Sequence, residues 1–306
     1  MSRPWTAERV VDEALAAQLV EHRFPELAPA GVAPFGVGWD NTAYLVNGTF
    51  VFRFPRRQLA VGLLENEVRV LPAIATRLPL AVPVPTHVGQ PALGYPWPFA
   101  GYRLLEGRTA CRARLSDAQR ARAAAPLGAF LAALHALDPA PLAAPPDELE
   151  RADMQKRAPL VQERLALLEE EGVLDDASPW RRLLDETPPP PPARDLRLVH
   201  GDLYARHVLV DDDGLPSGVI DWGDVHVGDP GVDLAIAHAF LPATARRAFL
   251  EAYGLVDERT WTLARLRALF SAVAVVWYGN DIGDAALLDE GRKGMSLVLE
   301  DTPLPG

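Results

Sequence analysis

The chain has 306 residues, 49% of them apolar, which is more than one typical domain needs and enough to fill two compact cores. Lys and Arg number 30 against 41 Asp and Glu, a formal charge of −11, which argues against a nucleic-acid partner and leaves more room for a cationic small molecule. Cys111 is the single cysteine, so neither an internal disulfide nor a cysteine zinc set is available and a reducing cytoplasmic setting is expected. Charges scattered over residues 1–17 break any signal-peptide core. No apolar run approaches the eighteen or so residues of a membrane helix, so no membrane partner is expected.

Spacing of Val10, Ala14, Leu15 and Leu19 predicts a helix from Thr6, a residue type that caps helices, to about His22, closed by Pro25. Pro34–Val46, Asn47-Gly48 and Thr49–Phe54 then read as strands joined by a type I′ turn. Within the first of these, Gly36-x-Gly38-x-x-Asn41 is either a tight turn between strands or a cover for phosphate, with Asn41 and Thr42 adding side-chain donors. Asn in place of a third glycine fits a residue type that tolerates positive φ. In Phe50–Phe54 the period of two puts Phe50, Phe52 and Phe54 on one face and Val51 with Arg53 on the other. A helix over Leu63–Ile74 follows. Glu67 shares its stripe with Leu64, Val68 and Leu71, while Glu65 lies about 200° away from it around the helix.

Residues 79–98 are Pro-rich and extended, and Phe99–Leu105 reads as a last strand before a boundary near Glu106-Gly107, giving domains 1–105 and 106–306. Ser116 and Gln119 form a capping-box pattern at the head of a helix to Leu137, with Leu127, Phe130, Leu131 and Leu134 on one stripe and His135 read as structural. Another helix is expected over residues 153–172. Pro188–Pro192 reads as a stiff connector into a strand over Leu196–Val199.

His200-Gly201-Asp202-Leu203-Tyr204-Ala205-Arg206-His207, followed by Ile220-Asp221-Trp222-Gly223, spaces two acids as a phosphoryl-transfer site does. Such chemistry passes through a loose transition state, so the protein mainly positions the nucleophile and neutralises charge. A loop carboxylate, Asp202, suits the first task. Asp221 suits the second, because hard Mg²⁺ prefers oxygen ligands and needs only one or two carboxylates besides nucleotide phosphates. Between them, Val208–Val210 and Gly218–Ile220 read as a hairpin. Its Asp211-Asp212-Asp213-Gly214 tip lacks calcium-loop spacing and is read as a polar turn.

The H-G-D-L and I-D-W runs, with Gly228-Asp229-Pro230 and Asp233-Leu234-Ala235 after them, resemble the aminoglycoside phosphotransferase family. That resemblance implies an α+β, protein-kinase-like bilobal fold with a small β-rich N-lobe and a larger, mainly helical C-lobe. It implies transfer of the γ-phosphate of ATP or GTP, with Mg²⁺, to a hydroxyl of a small molecule, either an antibiotic of aminoglycoside or macrolide type or a metabolite. Carried over by position, Gly36, Gly38, Asn41 and Thr42 cover the phosphates and Val51 meets the nucleobase. Arg53, held by Glu67, takes the place of the phosphate-binding lysine. Asp202 is the catalytic base and Asp221 a metal ligand. Asp233 anchors the catalytic-loop backbone, Asp229 is structural, and Tyr278, Asp281 and Asp284 either line the acceptor pocket or belong to a solvated helix end.

His207 stands where most of the family has Asn, as it does in the macrolide phosphotransferases. Imidazole is a poor Mg²⁺ ligand. His207 therefore ligates metal directly, acts through a water, orients Asp202 or phosphate, or simply packs. Two further readings stand beside transfer: a nucleotide-binding fold without turnover, and a metal-dependent hydrolase using His200, Asp202 and His207. Acceptor identity, nucleotide preference and oligomeric state are not written in these motifs.

Overall fold

A computed structural model of the chain describes residues 4–193, 195–300 and 304. It divides into two compact units. The first comprises Met1–Thr76, Ala81–Leu105 and Trp222–Val225, and the second Arg77–Leu80, Glu106–Asp221 and His226–Gly306.

The first unit opens with α1 (Glu13–Arg23), capped by Asp12, whose carboxylate accepts the Leu15 N–H at 2.8 Å. The helix thus starts later than Thr6. Glu8 and Arg9 instead donate their N–H groups to the Arg56 carbonyl at 2.8 and 3.0 Å, which holds that stretch out of helical geometry. Strands β1 (Val32–Val37), β2 (Asn41–Val46) and β3 (Phe50–Pro55) follow, then α2 (Leu59–Ile74), which begins a turn earlier than its apolar stripe suggests. With β4 (Pro85–Gly89) and β5 (Phe99–Arg103) the strands form an antiparallel sheet in the order β1-β2-β3-β5-β4. Asn47 and Gly48 take φ of 51° and 63°, as a type I′ turn requires, and Thr49 N–H closes it on Val46 O. Phe52 and Phe54 are fully buried in a core shared with Leu19, Val20, Tyr44 and Phe99, so the strand alternation holds as read from sequence.

The second unit is mainly helical. It contains β6 (Arg108–Thr109), α3 (Ala110–Ala113), α4 (Asp117–His135), α5 (Met154–Glu170), α6 (Ser178–Glu186), β7 (Arg197–Val199), β8 (Val208–Val210), β9 (Pro216–Val219), β10 (His226–Gly228), α7 (Gly231–Phe240), α8 (Ala243–Tyr253), α9 (Glu258–Asp281) and α10 (Ala285–Leu299). The Ser116–Gln119 capping box is present at the start of α4. Helix α6 was not anticipated. Its sequence carries only Leu183 and Leu184 as buried apolar residues, too few to mark a period. Fully buried Arg246 donates to the carbonyls of Ala237, Leu297 and Glu300, which ties α8 to α7 and to the end of α10. β6, β8 and β9 form one small antiparallel sheet and β7 pairs with β10 in another, and these strands flank the catalytic-loop sequence. Among the described residues, no helix is long and apolar enough to cross a membrane.

Candidate active site

In the first unit, Arg53 on β3 and Glu67 on α2 meet as the strand and helix periods predict. Arg53 Nη1 donates to both carboxylate oxygens of Glu67, at 3.1 and 2.9 Å. The Glu67 side chain is 1% exposed and that of Arg53 14%, so the carboxylate is committed to fixing the guanidinium while part of the latter stays accessible. Glu65, the alternative partner, is exposed.

The β1–β2 turn is anchored at one end. Gly38 N–H donates to Asn41 O at 2.9 Å, Arg56 Nη1 donates to Gly38 O at 2.7 Å, and Arg57 pairs with Asp40. Arg56 and Arg57 were not singled out from sequence, although two arginines directly after a strand are a signal. Neither Gly36 nor Gly38 lies at positive φ, and a Cβ on Gly36 would meet nothing within 4 Å. Backbone strain therefore does not require glycine at Gly36. Asn41 is likewise not at positive φ, contrary to the expectation from sequence. It is the first residue of β2, opposite Pro55, and its buried Oδ1 has no hydrogen-bond partner among the described residues. Thr42 and Val51 are half-buried on the same sheet.

In the second unit the catalytic-loop sequence is pinned from beneath by Asp233, which is fully buried at the start of α7. Its carboxylate accepts the backbone N–H groups of His200 at 2.7 Å and Gly201 at 2.8 Å. His135 Nε2 approaches the same carboxylate at 3.2 Å, and His135 Nδ1 lies 2.8 Å from the Tyr253 hydroxyl. Burial alone would raise the Asp233 pKa, but His135, His200 and the backbone donors outweigh it and hold the carboxyl below its usual range. Gly201 takes φ of 86°, which lets the chain turn above this carboxylate.

His200 is fully buried and accepts the Asp202 N–H on Nδ1 at 3.2 Å, so its Nε2 carries the proton and donates to Ile220 O at 3.0 Å. Burial pushes its pKa down, in keeping with a neutral ring. With both nitrogens engaged, His200 has none left for a metal, and the hydrolase reading fails on this geometry. The ring instead ties the Asp202 segment to the residue before Asp221.

His207 lies between the two acids. Its Nδ1 is 2.8 Å from the carbonyl of Asp202, which can only accept, and 3.7 Å from Asp202 Oδ2. Its Nε2 is 3.2 Å from Asp221 Oδ2. Burial acts to lower its pKa, but Asp221 foremost and then Asp202 overcome that and raise it above the ordinary histidine value. A proton on each nitrogen satisfies both contacts. Asp202 and Asp221 remain 38% and 42% exposed at the side chain, whereas His207 is 7% exposed. Asp221 adopts φ of 65°, a left-handed conformation costing about 1–2 kcal/mol for a residue with a Cβ. Among the described residues no group of three or more His, Cys, Asp or Glu is arranged to hold a metal. Two half-exposed carboxylates nevertheless fit Mg²⁺, which takes few protein ligands when phosphates supply the rest.

Of the residues expected near an acceptor, Asp284 caps α10 by accepting the Leu287 N–H at 3.1 Å and pairs with Arg112 at 2.6 Å, the helix-end alternative. Tyr278 is buried beneath Arg206, whose guanidinium lies 5.7 Å from its ring centroid. Asp229 is structural: it accepts the Gly231 N–H at 2.9 Å and pairs with Arg259.

The family model described as "Phosphotransferase enzyme family" matches residues 31–269, and the chain belongs to that family. Viomycin phosphotransferase of Streptomyces vinaceus is 35% identical over 101 residues, 32% of this chain and 35% of that protein. The aligned stretches span about a third of the length of the curated relatives it matches. The solved GDP and kanamycin complex of APH(2″)-IIIa is 26% identical with a TM-score of 0.66, covering 92% of this chain and 97% of that one. Macrolide 2′-phosphotransferase type I is 25% identical with a TM-score of 0.56, covering 94% and 98%. The α+β fold, β-rich in its first unit and helical in its second, is the protein-kinase-like fold of these aminoglycoside and macrolide phosphotransferases.

Proposed function

We propose that the chain transfers the γ-phosphate of ATP or GTP to a hydroxyl of a small molecule. The observation that carries this reading is the placement of His207 between Asp202 and Asp221, two accessible carboxylates at the spacing phosphoryl transfer uses. Asp202 orients the acceptor hydroxyl and takes its proton as the oxygen bonds to the γ-phosphorus. The bond from that phosphorus to the β-bridging oxygen breaks, a nucleoside diphosphate leaves, and the proton passes from Asp202 to solvent. Asp221 holds Mg²⁺, which supplies charge neutralisation on the phosphates when bound. Of the roles open to His207, orienting Asp202 agrees best with a ring whose Nδ1 meets the Asp202 carbonyl and whose Nε2 faces the Asp221 carboxylate. Arg53, fixed by Glu67, binds the α/β-phosphates. Gly36 to Thr42 cover the phosphates and Val51 meets the base.

The acceptors in the relatives' names, viomycin and kanamycin, make an antibiotic one acceptor class, and a hydroxylated metabolite is the other. The test is a coupled assay of purified protein with Mg²⁺ and ATP or GTP across aminoglycosides, macrolides and hydroxylated metabolites, with Asp202→Asn as control. Acceptor-dependent turnover that the substitution removes supports the reading. Nucleotide binding without turnover on any acceptor moves it to a binding-only fold.

A further inference from the structure

Arg157 and Arg164 are seven residues apart on α5, two turns, and so share one face of the helix. Phe270 and Trp277 have the same spacing on α9. The two faces meet. The guanidinium carbon of Arg157 lies 4.8 Å from the Phe270 ring centroid, and that of Arg164 lies 5.0 Å from both Phe270 and Trp277. Arg267, from α9 itself, lies 4.7 Å from Phe270. Three guanidinium groups thus converge on one half-buried phenyl ring, in a protein whose formal charge is −11.

This arrangement is costly in the free protein. Arg157 donates to the carbonyls of Glu150 and Leu149, at 3.2 and 2.7 Å. Arg164 Nη1 is buried with no hydrogen-bond partner among the described residues. Burial, and then the neighbouring Arg157, push the Arg164 pKa down to about 10 against the opposing effect of Glu163. Both side chains are half-buried, and each contact with a ring returns only on the order of 0.5–2 kcal/mol against the hydration they lose. An anion between the guanidinium groups removes that deficit, and Arg recognises planar carboxylate and phosphate oxygens with paired N–H donors.

The cluster and the catalytic loop both pack side chains against α9. The Asp202 carboxylate is among the acids whose field reaches Arg157, together with Asp147 and Asp153. Arg206 of the catalytic loop lies over Tyr278, the next residue after Trp277 on α9. We propose that Arg157 and Arg164, on their platform of Phe270 and Trp277, form a subsite for an anionic group, carboxylate or phosphate, carried by the acceptor whose hydroxyl is phosphorylated. The assignment to the acceptor rests on the phosphotransfer reading above. The chemical class it selects is a hydroxylated acid or phosphate ester, opposite in charge to a polyamine sugar.

The subsite is tested by calorimetric titration of the full chain, loaded with Mg²⁺ and a non-hydrolysable nucleoside triphosphate so that the phosphate positions are filled. The titrants are D-glycerate, glycerol 3-phosphate and, as the neutral control, glycerol. At least one anion is expected to bind about tenfold or more tighter than glycerol, and which one does separates carboxylate from phosphate. Arg164→Gln should lose that preference. Should Arg164→Gln fail to fold, Arg164→Lys keeps the charge without the paired donors and should weaken the anion selectively. Equal binding of glycerol and both anions, no saturable anion binding, or undiminished binding in whichever folded variant is used overturns the proposal. Anion binding in a protein that transfers phosphate to nothing would keep the subsite and sink the phosphotransfer reading. Transfer to neutral or cationic acceptors with no anion preference would do the reverse.

Discussion

His135 Nε2 and Asp233 Oδ2 lie 3.2 Å apart, so the carboxylate that receives the backbone of His200 and Gly201 is itself braced by a ring from α4, which Tyr253 of α8 holds from the other side. A catalytic loop has to be stiff without being regular, and here the stiffness comes from one buried acid with its acceptor positions filled. Asp233→Ala should therefore leave two buried N–H groups without an acceptor and cost on the order of 3–5 kcal/mol in urea unfolding. Asp233→Asn keeps one acceptor but turns an amide donor toward the other N–H, and should cost less. A loss below about 1 kcal/mol for the alanine variant would mean that the loop is held by other contacts.

The Arg53–Glu67 pair predicts a second separation. Glu67→Ala removes the partner of a largely buried guanidinium, so stability should fall by about 3 kcal/mol and nucleotide affinity by roughly tenfold, because the cation is no longer aimed. Arg53→Lys keeps the charge, loses the fork, and should weaken nucleotide less than Arg53→Ala. Nucleotide titrations on all three variants check the order. Unchanged nucleotide affinity in Arg53→Ala would remove Arg53 from the phosphate-binding groups.

Gly36→Ala distinguishes a structural glycine from a ligand-facing one. The added Cβ meets nothing within 4 Å and the residue is not at positive φ, so the thermal midpoint should hold or rise slightly. If phosphate is covered by this turn, nucleotide affinity should nonetheless fall several-fold, since the methyl group intrudes where only backbone was present. Unchanged nucleotide binding would take Gly36 out of the phosphate cover.

What was legible in the sequence was whatever one element's period decides. Arg53 opposite the Phe52–Phe54 face and Glu67 rather than Glu65 follow from strand and helix geometry, and the Ser116–Gln119 box from four consecutive residues. Asp233 was legible as an anchor through its motif, but its bracing by His135 was not, because α4 and α7 are far apart in sequence. The start of α1 failed for the same reason: Thr6 and Asp12 are both capping types, and Arg56 of another segment decides between them. The Arg157–Arg164 stripe was present in sequence at helical spacing, yet acquires meaning only when α9 brings Phe270 and Trp277 beneath it.

The buried histidines set the acid limb of stability. His238 is 1% exposed, and burial first, then Arg246 and Arg265, hold its pKa well below 6.5 against the opposing effect of the Trp261 backbone. His200 is shifted the same way by burial. For such groups only the unfolded chain takes up a proton as pH falls below the unfolded value, so stability drops from there until the folded pKa is reached. The slope of one such group is at most about 1.4 kcal/mol per pH unit. His207, whose pKa is raised, has the opposite sign: its stabilisation is complete below about pH 6.5 and is lost as pH climbs through its folded value. Below about pH 6 His238 should therefore lower the urea-unfolding free energy by about 1.4 kcal/mol per pH unit, and His200 and His87, both lowered by burial, should act in the same direction. Replacing His238 by Leu, which cannot titrate and packs beside Trp261, should remove its own share of that slope, about 1.4 kcal/mol per pH unit. A slope that the substitution leaves intact would mean that His238 is already protonated in the folded chain.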